Sequence, residues 1–328
     1  MGLEFDSKRL DTVKLIRNGS EATLRFSTRV LYFETLSRLK ELWESLANDP
    51  SVDVVYFESD DKNFLLGADV DYFYEAVTAR RVDLVATYSD LGNDLFDAIE
   101  KAAFPTIAKL TGAAMGGGFE LALACSARVA ARGVSLEFPE TGLGIFPGWG
   151  GIKRLSRKLG QPLAKWLVYT GKPLGAPLAL ELGVVDALVS PDELDATARK
   201  LAQEARGGKR SNARLEKIPE SLERTREFFD RPLAEITANV PNDPEGRRLY
   251  KSVARRAPYS LEFAERIFNA VEQNTPTMER RVEDVLTWRI YQTRDAELGL
   301  DQARRGAVVK TAFTGALDEF YAIFPNNL

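Results

Sequence analysis

Histidine is absent from the 328-residue sequence. Its absence excludes Ser-His-Asp and Cys-His triads, zinc sites built on histidine, and acid-base catalysis by imidazole. The single cysteine, Cys125, likewise excludes an internal disulfide and any cysteine-rich metal site, and we expect a reducing, cytoplasmic setting. Any proton transfer must therefore use carboxylates, lysine, tyrosine or water.

Signals for membranes and nucleic acids are also missing. The opening Met1-Gly-Leu-Glu-Phe-Asp is not a basic segment followed by an apolar one, so we expect no secretion signal. No apolar run approaches about 18 residues except the Gly- and Ala-rich segment around Gly117, which Glu120 interrupts. Lys and Arg total 44 against 48 Asp and Glu, and the basic residues form no cluster. We therefore expect neither a membrane nor a nucleic acid as partner.

Length and hydrophobic content predict one large core or slightly more, because 45% of the 328 residues are hydrophobic. Hydrophobic periodicity indicates two antiparallel strands at 12–19 and 21–27, joined by a turn at Gly19. A helix at 32–47 and a buried strand at 52–58 follow, and the alternation continues to residue 110. This order predicts an α/β fold.

The composition changes near residue 205. From 203 to 258 the sequence is charged and interrupted by prolines, and beyond it apolar residues recur at helical spacing. We therefore predict two domains: residues 1–205 form the α/β unit, and residues 206–328 form a mostly helical one. The sequence contains neither an internal repeat nor a low-complexity segment.

Two glutamates twenty residues apart, Glu120 and Glu140, stand in apolar motifs. Glu120 is the only charge between Leu110 and Ala127 and lies in a run that is apolar all round, which predicts a buried helix. An isolated ionised carboxylate is costly in an apolar interior, and carboxylates with shifted pKa values cluster at functional sites. The pair therefore indicates acid-base catalysis. A structural role for Glu120, such as capping backbone groups, is the alternative.

Two loops that contain glycine predict backbone donors for an anion. Residues 116–118 are three glycines that introduce the helix of Glu120, so no side chain shields the amides at its N-terminus. A second loop, 63–69, leads to a helix that starts near Asp69 and offers the Ala68 amide as another donor. Two such donors stabilise an enolate oxygen, by about 3 kcal/mol each. A tight turn or close packing is the alternative for each glycine cluster.

Taken together, these motifs resemble the crotonase (enoyl-CoA hydratase/isomerase) superfamily from about residue 14 to residue 206. The segments that carry the resemblance are Asn63-Phe-Leu-Leu-Gly-Ala-Asp69, Gly112-Ala-Ala-Met-Gly-Gly-Gly-Phe-Glu-Leu-Ala-Leu-Ala-Cys125 and Phe138-Pro-Glu-Thr-Gly-Leu-Gly-Ile-Phe-Pro-Gly-Trp-Gly-Gly-Ile-Lys-Arg-Leu155. The resemblance implies a crotonase-type ββα spiral core with a C-terminal helical domain. It also implies an acyl-CoA thioester substrate, with coenzyme A as part of the substrate and no metal or redox cofactor.

By the same resemblance, Ala68 and Gly117 supply the oxyanion-hole amides, and Glu120 and Glu140 match the two catalytic glutamates of the hydratases. The implied reaction is syn addition of water to a 2-enoyl-CoA, or its reverse. In it Glu120 deprotonates the water and Glu140 delivers a proton to Cα, so one carboxyl must be protonated and the other ionised. The further residues that we expect at the substrate are Lys62, Phe64, Leu66, Gly67, Asp69, Gly116, Pro139, Gly148 and Trp149.

Four residues also have structural interpretations. Asp69 is typical of a helix N-cap and Lys62 of a solvated loop. Trp149 has two interpretations: it is an aromatic residue of the core, or it lines the acyl pocket. Cys125 is expected to be a packed core thiol.

The C-terminal third resembles 3-hydroxyisobutyryl-CoA hydrolases at 218–229, 257–261 and 294–303. Those hydrolases usually lack an acid at the position of Glu120 and carry Asp where this chain has Gly148. We predict a hydratase, a lyase of fatty-acid β-oxidation, because function resides in the residues at the reacting centre. Thioester hydrolysis or double-bond isomerisation is the alternative, and a non-catalytic coenzyme A-binding scaffold is a second. The resemblance also implies a homo-trimer or hexamer.

Overall fold

Strands and helices are interspersed over residues 5–206, and as far as residue 110 they follow the order that the hydrophobic pattern predicts. The computed structural model describes residues 5–206, 215, 217–273, 275–306 and 313. The strands are β1 (Val13–Asn18), β2 (Glu21–Phe26), β3 (Val54–Ser59), β4 (Thr106–Leu110), β5 (Ala113–Met115), β6 (Ala127–Ala131), β7 (Ser135–Glu137), β8 (Leu174–Gly175) and β9 (Ala187–Val189). The helices of this part are α1 (Phe33–Ala47), α2 (Val70–Thr78), α3 (Val82–Glu100), α4 (Gly117–Ala124), α5 (Gly151–Leu159), α6 (Gln161–Thr170), α7 (Ala176–Glu181) and α8 (Leu194–Arg206).

Two mixed sheets form the framework of the described residues. The larger sheet has the order β1-β2-β3-β4-β6-β9; β1 and β2 pair antiparallel, as the turn at Gly19 predicts, and the later pairings are parallel. The smaller sheet has the order β5-β7-β8. The chain passes from the larger sheet to the smaller one between β4 and β5, and α4 begins directly after β5.

Buried aromatic and aliphatic side chains fill the space between sheets and helices. Phe57, Phe96 and Phe119 each expose 1% or less of their surface, and burial of one such side chain contributes about 1.5–3 kcal/mol. Cys125 is also fully buried, so its prediction as a packed core thiol is confirmed. None of the helices that the structure describes has both the length and the apolar character needed to cross a bilayer.

The described residues after 217 form helices and no strand: α9 (Glu223–Phe229), α10 (Leu233–Ala238), α11 (Pro244–Val253), α12 (Pro258–Gln273), α13 (Pro276–Ile290) and α14 (Arg294–Arg304). These helices pack directly on the α/β unit, with α12 on α5, α13 on α3, and α14 on α2. The domain boundary near residue 205 stays a prediction, and the adjacent Gly207 and Gly208 lie outside the described residues. The C-terminal helices thus pack against α2, α3 and α5, and both α2 and α3 line the candidate site.

Candidate active site

A cavity of about 70 Å³ lies where the C-terminal helices meet the α/β unit. Phe73 of α2 and Ser89 of α3 lie in its wall, together with Thr287 of α13 and Tyr291, which follows α13. The predicted site residues that line the cavity are Leu66, Gly67, Ala68, Gly116, Gly117, Glu120, Pro139, Glu140, Gly148 and Trp149. The fold therefore brings together residues that are scattered along the sequence.

Three predicted site residues, Lys62, Phe64 and Asp69, do not line this cavity. Lys62 is exposed, and Phe64 is fully buried in the core. Asp69 caps α2: its Oδ1 accepts the N–H of Asp71 at 3.1 Å and of Tyr72 at 3.3 Å. The N-cap interpretation of Asp69 is confirmed, whereas substrate contact by these three residues stays a prediction.

Gly67 and Gly116 bring the two predicted oxyanion loops together. Their φ angles are +110° and +48°, a region that favours glycine, and a Cβ on Gly67 would lie 3.7 Å from the Gly117 nitrogen. Gly117 is the first residue of α4, so its N–H has no acceptor within the helix. Within the described part of the chain, neither this N–H nor that of Ala68 has a hydrogen-bond partner. Both amides are therefore available at the cavity wall.

Glu120, in the first turn of α4, is held by the loop that precedes α5. Its Oε1 accepts the N–H of Trp149 and of Gly151, both at 2.8 Å, and the residue is 2% exposed. Burial, and then the charge of Glu283, raise the pKa of Glu120 to about 7, although the two amide hydrogen bonds and Arg154 oppose the shift. Glu120 can therefore exchange a proton at neutral pH.

Glu140 opens a short 3₁₀ turn (Glu140–Gly142) directly against the oxyanion loop, where its Oε1 would lie 2.8 Å from a Cβ on Gly116. Its Oε2 is buried and has no hydrogen-bond partner among the described residues. Burial, and then the charge of Glu120, raise the pKa of Glu140 well above its ordinary value. Glu140 therefore holds its proton more strongly than an exposed glutamate does, and Glu120, with two amide donors, is the more acidic of the two.

Trp149 lines the cavity and is also a core aromatic. Its ring lies between α3 and α4, so closely that a Cβ on Gly92 would come within 2.5 Å of it and a Cβ on Gly117 within 2.3 Å. The rings of Tyr88 and Phe96 lie 5.6 and 5.5 Å from it, centroid to centroid. The indole therefore limits how far the cavity extends toward α3.

Two residues of the C-terminal region approach the predicted glutamates, and the sequence did not point to them. Tyr291 lines the cavity, and burial together with the charges of Glu140 and Glu120 raises the pKa of its phenol. Glu283 on α13 is 1% exposed, and its Oε1 accepts the N–H of Gly150 at 2.9 Å. The C-terminal helices are thus part of the site as well as its cover.

Comparison with known proteins decides the family. Residues 30–239 match the family described as Enoyl-CoA hydratase/isomerase. The chain belongs to the enoyl-CoA hydratase/isomerase family. A crotonyl-CoA hydratase of Syntrophomonas wolfei is 38% identical over 172 residues, which cover 52% of this chain and 64% of that protein. A short-chain-enoyl-CoA hydratase of Clostridium acetobutylicum is 34% identical over 198 residues, which cover 59% of this chain and 74% of that protein.

The fold of the enoyl-CoA hydratase/isomerase family extends over nearly the whole chain. The crystal structure of an enoyl-CoA hydratase from Rhodobacter sphaeroides 2.4.1 superposes with a TM-score of 0.79 over 96% of this chain and 97% of that one. At 19% identity this likeness establishes the fold alone. The predicted crotonase-type α/β fold with a C-terminal helical region is confirmed. The match to the Syntrophomonas wolfei crotonyl-CoA hydratase covers less than two thirds of that protein.

Proposed function

We propose that this family member is an enoyl-CoA hydratase, which adds water across the 2,3 double bond of an enoyl-CoA thioester or catalyses the reverse dehydration. The observation that carries the proposal is a pair of buried carboxylates on one cavity wall with unequal hydrogen bonding. Glu120 accepts two amide N–H groups, whereas Oε2 of Glu140 accepts none from the described residues. The hydratases named among its relatives support the same activity.

The thioester carbonyl oxygen binds between the amides of Ala68 and Gly117. When water attacks Cβ, negative charge moves to this oxygen, and each preorganised donor stabilises it by about 3 kcal/mol. The N-terminus of α4, at Gly117, adds the positive end of its helix dipole. The binding energy of these groups is thus greatest for the enolate, which lowers the barrier to its formation.

Both carboxylates hold the attacking water. The ionised Glu120 takes one proton from it as the oxygen bonds to Cβ, and the π electrons of the double bond form the enolate. The protonated Glu140 then gives its proton to Cα, so the product gains H and OH in total. Transfer of one proton from Glu120 to Glu140 restores the starting state.

The acyl group of the substrate is short in this proposal. The cavity of about 70 Å³ exceeds the roughly 10–15 Å³ that one buried water needs, so it can hold the attacking water beside a small group. The Trp149 ring closes the side toward α3. A cytoplasmic location, a homo-trimer or hexamer and a role in fatty-acid β-oxidation stay predictions.

The experiment incubates the purified protein with crotonyl-CoA and, separately, with 3-hydroxybutyryl-CoA. The enoyl-thioester absorbance follows the double bond, and a thiol reagent counts free coenzyme A. Interconversion of the two thioesters without free thiol is the expected result. Stoichiometric thiol release would replace the proposal with a hydrolase, and ligand binding without turnover in either direction would replace it with a coenzyme A-binding scaffold.

A further inference from the structure

Three consecutive backbone amides after Gly148 are divided between two buried carboxylates. The N–H groups of Trp149 and Gly151 donate to Oε1 of Glu120, both at 2.8 Å. The N–H of Gly150, between them, donates to Oε1 of Glu283 at 2.9 Å. Since Glu120 lies on α4 and Glu283 on α13, the segment is held from two sides by separate elements.

The surroundings of Glu283 are built around this contact. Asn93 of α3 donates to the carbonyl oxygen of Gly148 at 2.6 Å and to Oε1 of Glu283 at 3.5 Å, so it joins the same segment to the same carboxylate. Burial raises the pKa of Glu283, and Lys153, the Gly150 amide and Arg154 oppose the shift. An apolar side chain of similar size would fill the space without the cost of a buried charge, so packing does not account for a glutamate here.

We propose that Glu283 is a positioning residue: by holding the Gly150 amide, it fixes the segment 149–151 in the conformation that directs two amides onto Glu120. This inference rests on the proposed hydratase function of the site. Without an acceptor for the Gly150 N–H, the segment can rotate, and Glu120 loses the donors that orient its carboxylate. A misplacement of about 1 Å at a catalytic group costs on the order of 10²-fold in rate.

The charge of Glu283 also acts on Glu120. Among the charged groups near Glu120, Glu283 raises its pKa and Arg154 lowers it, and the carboxyl of Glu140 and the phenol of Tyr291 line the same cavity. Removal of the charge of Glu283 should therefore lower the pKa of Glu120. This gives a readout that a purely structural residue would not produce.

The test compares two substitutions of Glu283 with a control on the same helix. Glu283→Gln keeps an acceptor for the Gly150 N–H, so kcat stays near that of the wild type, while the acidic limb of kcat/KM moves to lower pH by on the order of one unit. Glu283→Ala removes the acceptor as well, so kcat falls roughly 10- to 100-fold with little change in KM. Recovery of kcat in the Gln variant then separates positioning from general loss of structure.

Glu279→Gln is the matched control. Glu279 lies one turn earlier on α13, is 4% exposed, and pairs with Arg157 at 2.5 Å without contacting the segment 149–151. This variant should keep the wild-type pH profile even if it unfolds at a lower temperature. A Glu283→Gln profile that superimposes on the control, or wild-type kcat in Glu283→Ala, would overturn the proposal.

A second readout needs no turnover. In protein labelled with ¹⁵N-glycine, the Gly151 amide resonance should titrate with Glu120 at a midpoint of about 7, and the midpoint should fall in Glu283→Gln. An unchanged midpoint would overturn the inference even if Glu283→Ala failed to fold. If the wild type neither hydrates crotonyl-CoA nor dehydrates its product while the midpoint still shifts, the proposed function is wrong and the contact of Glu283 with this segment stands.

Discussion

Replacement of Glu120 by Gln should make the protein more stable at alkaline pH and nearly inactive. The carbonyl oxygen of Gln can still accept the N–H groups of Trp149 and Gly151, which now converge on Oε1 at 2.8 Å. The substitution therefore removes the charge and the titrating proton but keeps the shape of the site. Loss of the general base should lower turnover of crotonyl-CoA by about 10²- to 10⁴-fold.

The gain in stability follows from the pKa of Glu120, which burial raises from 4.5 to about 7. A carboxyl whose pKa is higher in the folded state favours folding while it is protonated, and this contribution is lost as pH rises from 4.5 through about 7. A difference of about 2.5 units corresponds to roughly 3 kcal/mol in the free energy of unfolding above that window. The variant has no proton to lose at this position, so it avoids the loss, and the part that falls between pH 5 and pH 8 is about 2 kcal/mol because pH 5 already lies within the window.

Urea unfolding of the wild type and of Glu120→Gln at pH 5 and pH 8 measures the effect. We expect the variant to gain about 2 kcal/mol relative to the wild type between the two pH values. Glu279→Gln should show no such gain, because it removes a partly exposed ion pair with Arg157 instead. A stability difference between Glu120→Gln and the wild type that does not change with pH would show that folding does not raise the pKa of Glu120, and wild-type turnover would show that Glu120 is not the general base.

Three further predictions concern the same site. Glu140→Gln should lower kcat by two or more orders of magnitude and leave the affinity for coenzyme A thioesters, measured by calorimetry, nearly unchanged; wild-type turnover would contradict the role of Glu140 as acid. The wild-type kcat/KM should rise as pH passes about 7, where Glu120 ionises, and fall at higher pH as Glu140 loses its proton; a flat profile would contradict this assignment. Gly92→Ala should lower the free energy of unfolding by about 1–3 kcal/mol, because its Cβ would come within 2.5 Å of the Trp149 ring; unchanged urea stability would show that the ring can move away.

Much of the cavity wall could be predicted from the sequence because the residue types of short, contiguous segments indicate it. A lone acid in an apolar helix, as at Glu120, and glycines before that helix, as at Gly116, are visible without any knowledge of distant contacts. The short strands of the smaller sheet could not be predicted in the same way. The strand β5 has three residues, too few to show a period, and it forms because β7 pairs with it.

The contribution of α13 could not be predicted because its apolar residues do not lie on one face: Leu286 and Ile290 are buried, whereas others are exposed. Met278 and Trp288 are 44% and 45% exposed, whereas Glu279 and Glu283 are buried. Hydrophobic periodicity places acids toward solvent, so it hides a glutamate that is buried by a contact with Gly150, 133 residues earlier in the chain. Only the assembled fold brings this carboxylate to the segment that also holds Glu120.

The most direct test of the hydratase proposal follows the oxygen of water. Crotonyl-CoA is incubated with the wild-type protein in H₂¹⁸O, and the products are analysed by mass spectrometry. The proposed hydratase reaction yields a 3-hydroxybutyryl-CoA thioester with one ¹⁸O at C3 and none at the carbonyl. A free acid with ¹⁸O in its carboxylate would contradict it, because the water would then have attacked the thioester carbonyl and not Cβ.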